Sequence, residues 1–326
     1  MYRALPTLLL AVTLIVPAAI GAARADETSI SVDVLHAESL YKDGKYREAL
    51  ALLEKYLQQH PQDARALTDR GDDYEALDEQ KSAIVDYTAA IQVNPLYAYA
   101  YASRCESRLE IQQTKAALAD CNKAIELEPK LAYAYRMRAV IEMNQGDPQG
   151  ALADANQAVQ LNPEGVSGLV MRCRAYIALG RYAEALSDCN AAASLDPNDD
   201  YAFFYRGRVE LHQQNWNAAI ADFTTALRIA PDDTNAYYWL ATAQMGAAAY
   251  ADALKSVDSY IKGSGDDPDG YYVRAQIQAK LGNTAEARTS ATDALRHYRI
   301  ANDVDGAAKA QALLDSLSGN GASPPP

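Results

Sequence analysis

Histidine is scarce in this 326-residue chain, and His36, His60, His212 and His297 stand at no metal-binding or metalloprotease spacing. The four cysteines lack zinc-ligand spacing. No G-x-S-x-G elbow and no phosphate-binding glycine loop occurs. Asp266-Asp267-Pro268-Asp269-Gly270 lacks the alternation and distal Glu of a calcium loop and reads as a solvated turn. These absences point away from an enzyme, and no cofactor or metal is expected. Basic charge is also short: 30 Lys and Arg against 43 Asp and Glu leave a formal net charge of −13. Such a surface disfavours nucleic acid and anionic membrane as partners. Phe occurs three times against 22 Tyr, so most rings can keep a hydroxyl in water.

Long apolar runs are confined to the start. Arg3 gives a basic beginning, Leu8–Val16 is apolar apart from Thr13, and Ala23-Arg24-Ala25 is a cleavage pattern before Asp26. Residues 1–25 therefore read as a secretory signal peptide cleaved after Ala25, which predicts export, with the periplasm as the destination. An uncleaved anchor is the alternative, but its core is shorter than the ~20 residues a span needs. No later stretch is apolar enough to insert into a membrane.

What the chain does have is a period. Ala49, Ala83, Ala117, Ala151, Ala185, Ala219, Ala253 and Ala287 follow one another at steps of 34 residues. A period of that size means stacked structural units rather than a folded-back globule. With the constant alanine at position 20 of a 34-residue frame, position 8 is small throughout: Ala37, Gly71, Cys105, Ala139, Cys173, Gly207, Ala241 and Ala275. Position 27 is Ala except at Tyr56 and Tyr260, and position 32 is Pro61, Pro95, Pro129, Pro163, Pro197 and Pro231. Small residues let two antiparallel helices approach closely. Proline ends the second helix, and Gly44, Gly146, Gly180 and Gly282 at position 15 mark the turn between the two.

This pattern resembles the tetratricopeptide repeat family over roughly residues 30–300. The resemblance implies an all-α fold, a right-handed superhelical solenoid of eight stacked helix-turn-helix repeats. Their bounds fall at about 30–63, 64–97, 98–131, 132–165, 166–199, 200–233, 234–267 and 268–301. Residues 302–318 are expected to form a C-terminal capping helix and 319–326 a disordered tail.

Comparing the repeats with one another pairs position 8 with position 24. Gly71 faces Tyr87, Gly207 faces Phe223, Ala139 faces Ala155 and Ala275 faces Ala291, as volume compensation requires. All four cysteines fall on this pair, so the frame selects Cys105–Cys121 and Cys173–Cys189 as disulfides of an exported chain. Four small buried residues that never oxidise remain the alternative. Positions 7 and 23 form a second pair: Arg70/Asp86, Arg104/Asp120, Arg138/Asp154, Arg172/Asp188 and Arg206/Asp222. They read as an internal ion-pair ladder, within a repeat or to its neighbour. A row of arginines gripping an acidic ligand is the functional alternative.

In the family the inner wall is lined by the first helices, at positions 2, 5, 9 and 12. Here these hold Glu38, Asp72 and Glu106, then Arg136, Arg174 and Arg208, with Tyr99, Tyr133, Tyr201, Phe204, Tyr238 and Tyr272 along the length. Such a groove suits a protein or extended peptide, although the rings could equally fill the joints between repeats. The position-4 aromatics Tyr101, Tyr135, Phe203 and Tyr237 are assigned to the core. The acidic-tail clamp of some family members is not expected, because its places hold Val34, Glu38, Thr68 and Asp72. The sequence thus predicts a binding scaffold of the bacterial cell envelope, with envelope glycan as the rival ligand.

Overall fold

The computed structural model describes residues 30–319; the leader at 1–25 and the tail beyond Gly319 lie outside them. Two compact units divide the chain after Pro95. In unit 1, α1 (Val32–Lys42) pairs with α2 (Tyr46–Gln59) and α3 (Ala64–Ala76) with α4 (Gln80–Val93). Unit 2 continues with α5 (Ala98–Glu110), α6 (Thr114–Leu127), α7 (Ala132–Asn144), α8 (Pro148–Leu161), α9 (Val166–Ala178) and α10 (Tyr182–Leu195). It ends with α11 (Asp200–His212), α12 (Trp216–Ile229), α13 (Thr234–Gly246), α14 (Tyr250–Ser264), α15 (Pro268–Lys280), α16 (Thr284–Ile300) and α17 (Val304–Leu317).

Within unit 2 each helix packs on the next, and α17 closes on α16 and α15. First helices also touch their successors: α5 meets α7, then α9, α11, α13 and α15 follow in line. The second helices have no matching row of contacts. The layer of first helices is therefore the more closely spaced, and unit 2 curves toward it. The eight period alanines are all fully buried, where no larger side chain fits between paired helices. A Cβ on Gly71 would stand 2.5 Å from the Tyr87 ring, and one on Gly207 2.9 Å from the Phe223 ring. Glycine is required there by close approach.

The turn between helices is more uniform than the glycines suggest. Position 15 is left-handed in every repeat, at Gly44, Gly146, Gly180 and Gly282 but also at Asp78, Gln112, Gln214 and Ala248. In each, the N–H of position 16 donates to the carbonyl of position 11, as Arg181 does to Tyr176 and Ala249 to Gln244. This is a Schellman-type end, which satisfies the last carbonyls of the first helix. Ala248 carries a Cβ in a region that disfavours it. Ala248→Gly is therefore expected to raise the melting temperature, relieving about 1 kcal/mol of backbone strain.

The second helices end in an extended residue followed by proline, as at Asn162-Pro163 and Asp196-Pro197. Repeat 7 has Gly265 in the proline's place, at φ +66°, which no proline could adopt. Position 34 supplies a signal not read from the sequence: Asp63, Asp199, Asp233 and Asp267 cap α3, α11, α13 and α15 with their side chains. Tyr56 and Tyr260, the two exceptions at position 27, bond the caps Asp63 and Asp267.

The arginine ladder forms within repeats. Arg138 donates Nε and Nη2 to Asp154 at 2.6 and 2.8 Å, and Arg172 binds Asp188 at 2.6 and 2.7 Å. Arg70, Arg104 and Arg206 grip Asp86, Asp120 and Asp222 in the same two-toothed way. The remaining Nη1 reaches back one repeat, from Arg138 to Asn122 at 2.8 Å and from Arg206 to Asn190 at 3.1 Å. Each such arginine therefore joins its own hairpin and clips it to the preceding one. Every one of the five is occupied, so the row is not a ligand grip. The position-4 rings are half-buried, with Tyr101 and Phe203 packed against the core, and Tyr101, Tyr135 and Phe203 lie under Arg104, Arg138 and Arg206.

Unit 1 contains one conflict. Asp73 is 1% exposed at a position that holds Ile141, Val209 and Ile277 elsewhere, and neither carboxylate oxygen has a hydrogen-bond partner. Burial, then the charge of Asp72, pushes its pKa up to about 7. Burial, then Asp72 and Glu38, pushes Asp69 up to about 8. Both folded values exceed the unfolded one, so the folded state binds the extra protons. Their contribution to stability is full below the ordinary aspartate range and is lost as pH climbs through about 7 and about 8. Asp73→Asn should thus raise the melting temperature near pH ~8 and gain little near pH ~4; an equal gain at both would contradict the assignment.

Candidate functional site

The residues expected on the inner wall of unit 2 lie on the first helices α5, α7, α9, α11, α13 and α15. At α5 and α7 the rings of Tyr99 and Tyr133 lie 5.7 Å apart, and the Arg136 guanidinium sits 5.1 Å over Tyr133. The Tyr133 hydroxyl bonds Glu106, and Arg136 stands 3.6 Å from the same carboxylate. Acidic and basic groups expected to face a ligand thus meet each other here. Tyr133 and Arg136 also line a shallow cleft of about 210 Å³ with Asn162 and Ser167. In unit 1, Glu38 is taken by Arg65, and Tyr87 reaches Asp72 and Glu75 at 2.7 and 3.0 Å.

The next step holds Arg174 on α9 and Arg208 on α11. Arg174 has one polar contact, to Asn144 Oδ1 at 3.3 Å. Arg208 lies 4.2 Å over the Trp239 ring, and its Nε is buried without an acceptor. Burial lowers its pKa, and the neighbouring charge of Arg174 lowers it further. Burial pushes the Tyr205 hydroxyl up, against the opposing charges of Arg174 and Arg208. His212, stacked on Tyr182 at 4.8 Å, is held below the usual histidine range by burial and then by Arg208. Tyr201, at the start of α11, leaves 58% of its surface open.

The other expected wall residues do not present themselves in this way. Phe204 is 8% exposed and packs edge-on to Phe223 in the core of repeat 6, so it is corrected from a wall residue to a core residue. Position 5 is buried in repeats 3 and 5 as well, at Ala102 and Val170. Tyr238 is half-buried between Trp239 and Tyr260, at 5.3 and 5.2 Å, and Tyr272 leans on Tyr298 at 6.5 Å. These two rings fill joints. The sequence reading missed Tyr205 and Trp239, because position 6 was left out of the stripe. The same position holds the core residues Met137 and Met171 in repeats 4 and 5, so no stripe in the sequence marks Tyr205 and Trp239.

Both cysteine pairs stand across their hairpins in disulfide-compatible geometry, with Cα–Cα distances of 5.6 Å for Cys105 and Cys121 and 5.8 Å for Cys173 and Cys189. Among the described residues no group of three or more His, Cys, Asp or Glu is placed to hold a metal ion, and no helix is long and apolar enough to cross a membrane.

Helical hairpins stacked in register, with first helices forming the inner layer, define a solenoid scaffold. Tetratricopeptide repeat models match residues 34–100, 210–277 and 268–291, and a model of the ETO1 C-terminal domain matches 78–217. The chain is a member of the tetratricopeptide repeat family. No curated protein sequence matches it. Among solved structures it is similar to the APC/C hetero-tetramer Cut9–Hcn1, with TM-score 0.74 and 15% identity, over 86% of this chain and 55% of that one. It therefore spans about half that protein's length. A tetratricopeptide repeat protein from Parabacteroides merdae gives TM-score 0.54 and 19% identity, over 78% and 98% of the two chains. Pseudomonas aeruginosa pilF gives 0.56 and 20%, over 66% and 96%. At these identities the likeness is one of fold.

Proposed function

We propose that this protein is an exported, periplasmic scaffold of the bacterial cell envelope that binds a protein or extended peptide along the first-helix wall of unit 2 and performs no chemistry. The observation that carries the reading is the wall itself. Tyr99, Tyr133 and Tyr201 share one repeat position on α5, α7 and α11, with Ser167 at that position of α9, and Arg174 and Arg208 share another on α9 and α11. Tyrosine gives apolar area and a hydrogen bond at little entropy cost, which suits an extended chain. Export is supported by the leader pattern at 1–25 and by two cysteine pairs poised for oxidation.

A photo-crosslinking residue at position 201, with one on the outer helix at Lys255 as control, tests this in cells. Protein adducts from 201 and none from 255 are expected; equal adducts from both would sink it. The open ring of Tyr201 also suits stacking on a sugar, which keeps a glycan ligand as the second reading. Retention on peptidoglycan or exopolysaccharide without protein adducts would favour that one.

A further inference from the structure

Six of the joints between repeats close on proline; the seventh, between α14 and α15, has Gly265 at φ +66° in its place. Proline fixes its own φ, whereas glycine leaves the chain free. Side chains hold this loop instead. Asp267 caps α15 through the Asp269 N–H and is reached by the Tyr260 hydroxyl. Asp269 accepts from the Tyr298 hydroxyl. Burial pushes both tyrosines up, so neither of these pins titrates near neutrality. Asp266 makes the third attachment: its side chain is 89% exposed, and its carboxylate stands 3.8 Å from His297 Nε2. Imidazole is the group of this set whose ordinary range does lie near neutrality.

His297 is 7% exposed on α16, with its ring stacked flat on Tyr271 of α15 at 5.0 Å. Two neighbours make opposite demands on its Nε2. Arg296 Nη2 lies 3.1 Å away and can only donate, so it needs a lone pair there and a neutral ring. Ionised Asp266 can only accept, so it needs a proton on the same nitrogen. At 3.1 Å against 3.8 Å, the structure shows the neutral arrangement. Protonation would turn Arg296 from a partner into a like charge, and that guanidinium already has Asp293 at 3.2 Å to retain it. A buried imidazolium needs an anion, and Asp266 is placed to supply one. The other charges around the ring are already matched. Arg274, 5.2 Å over Tyr271, pairs with Asp258 at 3.5 Å, and Asp269 holds Tyr298.

We propose that His297 and Asp266 form a pH-operated pin on the joint between repeats 7 and 8. With the ring neutral, Arg296 holds Nε2 and the loop hangs on its two tyrosines. With the ring protonated, Arg296 turns to Asp293, Asp266 closes on Nε2, and the loop is fastened to α16. Gly265 supplies the backbone freedom that closure requires. The pin sets how firmly the start of α15 is held against α16, whatever the scaffold binds.

Amide exchange of the full chain, read by mass spectrometry as protection over the intrinsic rate at each pH, tests the pin. Between pH ~8 and pH ~5.5, on either side of the ordinary histidine range, protection across residues 262–267 is expected to rise at least about fivefold. The joint at 230–234 has no histidine and should stay level, which makes it the internal control. Asp266→Asn should remove the rise, and its side chain is too exposed for the change to unfold the chain. His297→Gln should remove it as well. Nitrogen-15 spectra of the imidazole give an independent reading: at pH ~8 the ring proton should sit on Nδ1, leaving Nε2 to accept from Arg296. Three results would each overturn the pin: no rise in the parent protein, a rise of equal size in Asp266→Asn, or a neutral ring that carries its proton on Nε2.

Discussion

Asp154→Ala is expected to destabilise unit 2 by about 2–3 kcal/mol, read as a drop in the urea midpoint. The carboxylate is 9% exposed and takes both inner donors of Arg138, whose own side chain is 24% exposed. Its removal leaves a half-buried guanidinium that keeps its hydrogen bond to Asn122, with the Tyr135 ring beneath it. The loss should fall below the full cost of breaking a deeply buried pair, because water still reaches one side of the arginine. In a stack whose stability is shared between neighbours, it should also loosen repeat 3 through the Arg138–Asn122 clip. Repeat 7 shows how a hairpin manages without the pair. Leu240 and Ser256 replace Arg and Asp, and the Ser256 hydroxyl donates to Gln244 at 2.8 Å. Grafting that solution into repeat 4 as Arg138→Leu, Asp154→Ser and Glu142→Gln should recover most of the loss. Glu142 must change too, because burial and then Asp154 push its pKa up to about 7 and one oxygen is buried without a partner. A neutral Asp154→Ala, or a triple variant no better than the single, would refute the ladder's structural role.

Much of the fold could be read from the sequence because each repeat is a copy against which the others can be compared. Pairings inside a hairpin recur at one register, so glycine opposite Tyr87 or Phe223, and arginine opposite aspartate, are visible as covarying letters within one chain. Relations between hairpins are not written that way. Asn122 and Asn190 meet the following repeat's arginine through the stagger of the stack, which no single repeat encodes. The left-handed residue at position 15 was readable at Gly180 but hidden at Gln112 and Ala248, where the turn imposes the conformation against residue preference. The wall suffered most, since positions 5 and 6 straddle the edge between core and solvent. Phe204 is buried while its neighbour Tyr205 is half-buried. Charge was legible as composition, yet which arginines are spent internally required the partners to be seen.

Reduction of the cysteine pairs is the second large effect expected. Each bridge would close a loop across one hairpin at a sequence separation of 16. Closure of that length restricts the unfolded chain enough to contribute ~3 kcal/mol apiece. Repeat 4 provides the control built into the molecule. Its equivalent residues, Ala139 and Ala155, are both fully buried, so paired helices close on alanines without a bridge. Cys105→Ala with Cys121→Ala should therefore fold and lose chiefly the tether, as should Cys173→Ala with Cys189→Ala. The parent protein in reductant should unfold at a urea concentration near that of the four-alanine variant, while the variant itself ignores reductant. Because the two bridged hairpins flank repeat 4, their losses should not simply add; the faster amide exchange should spread from α5, α6, α9 and α10 into α7 and α8. Protein recovered from the envelope with four alkylatable thiols, or a midpoint that reductant does not move, would mean the cysteines serve only as small core residues.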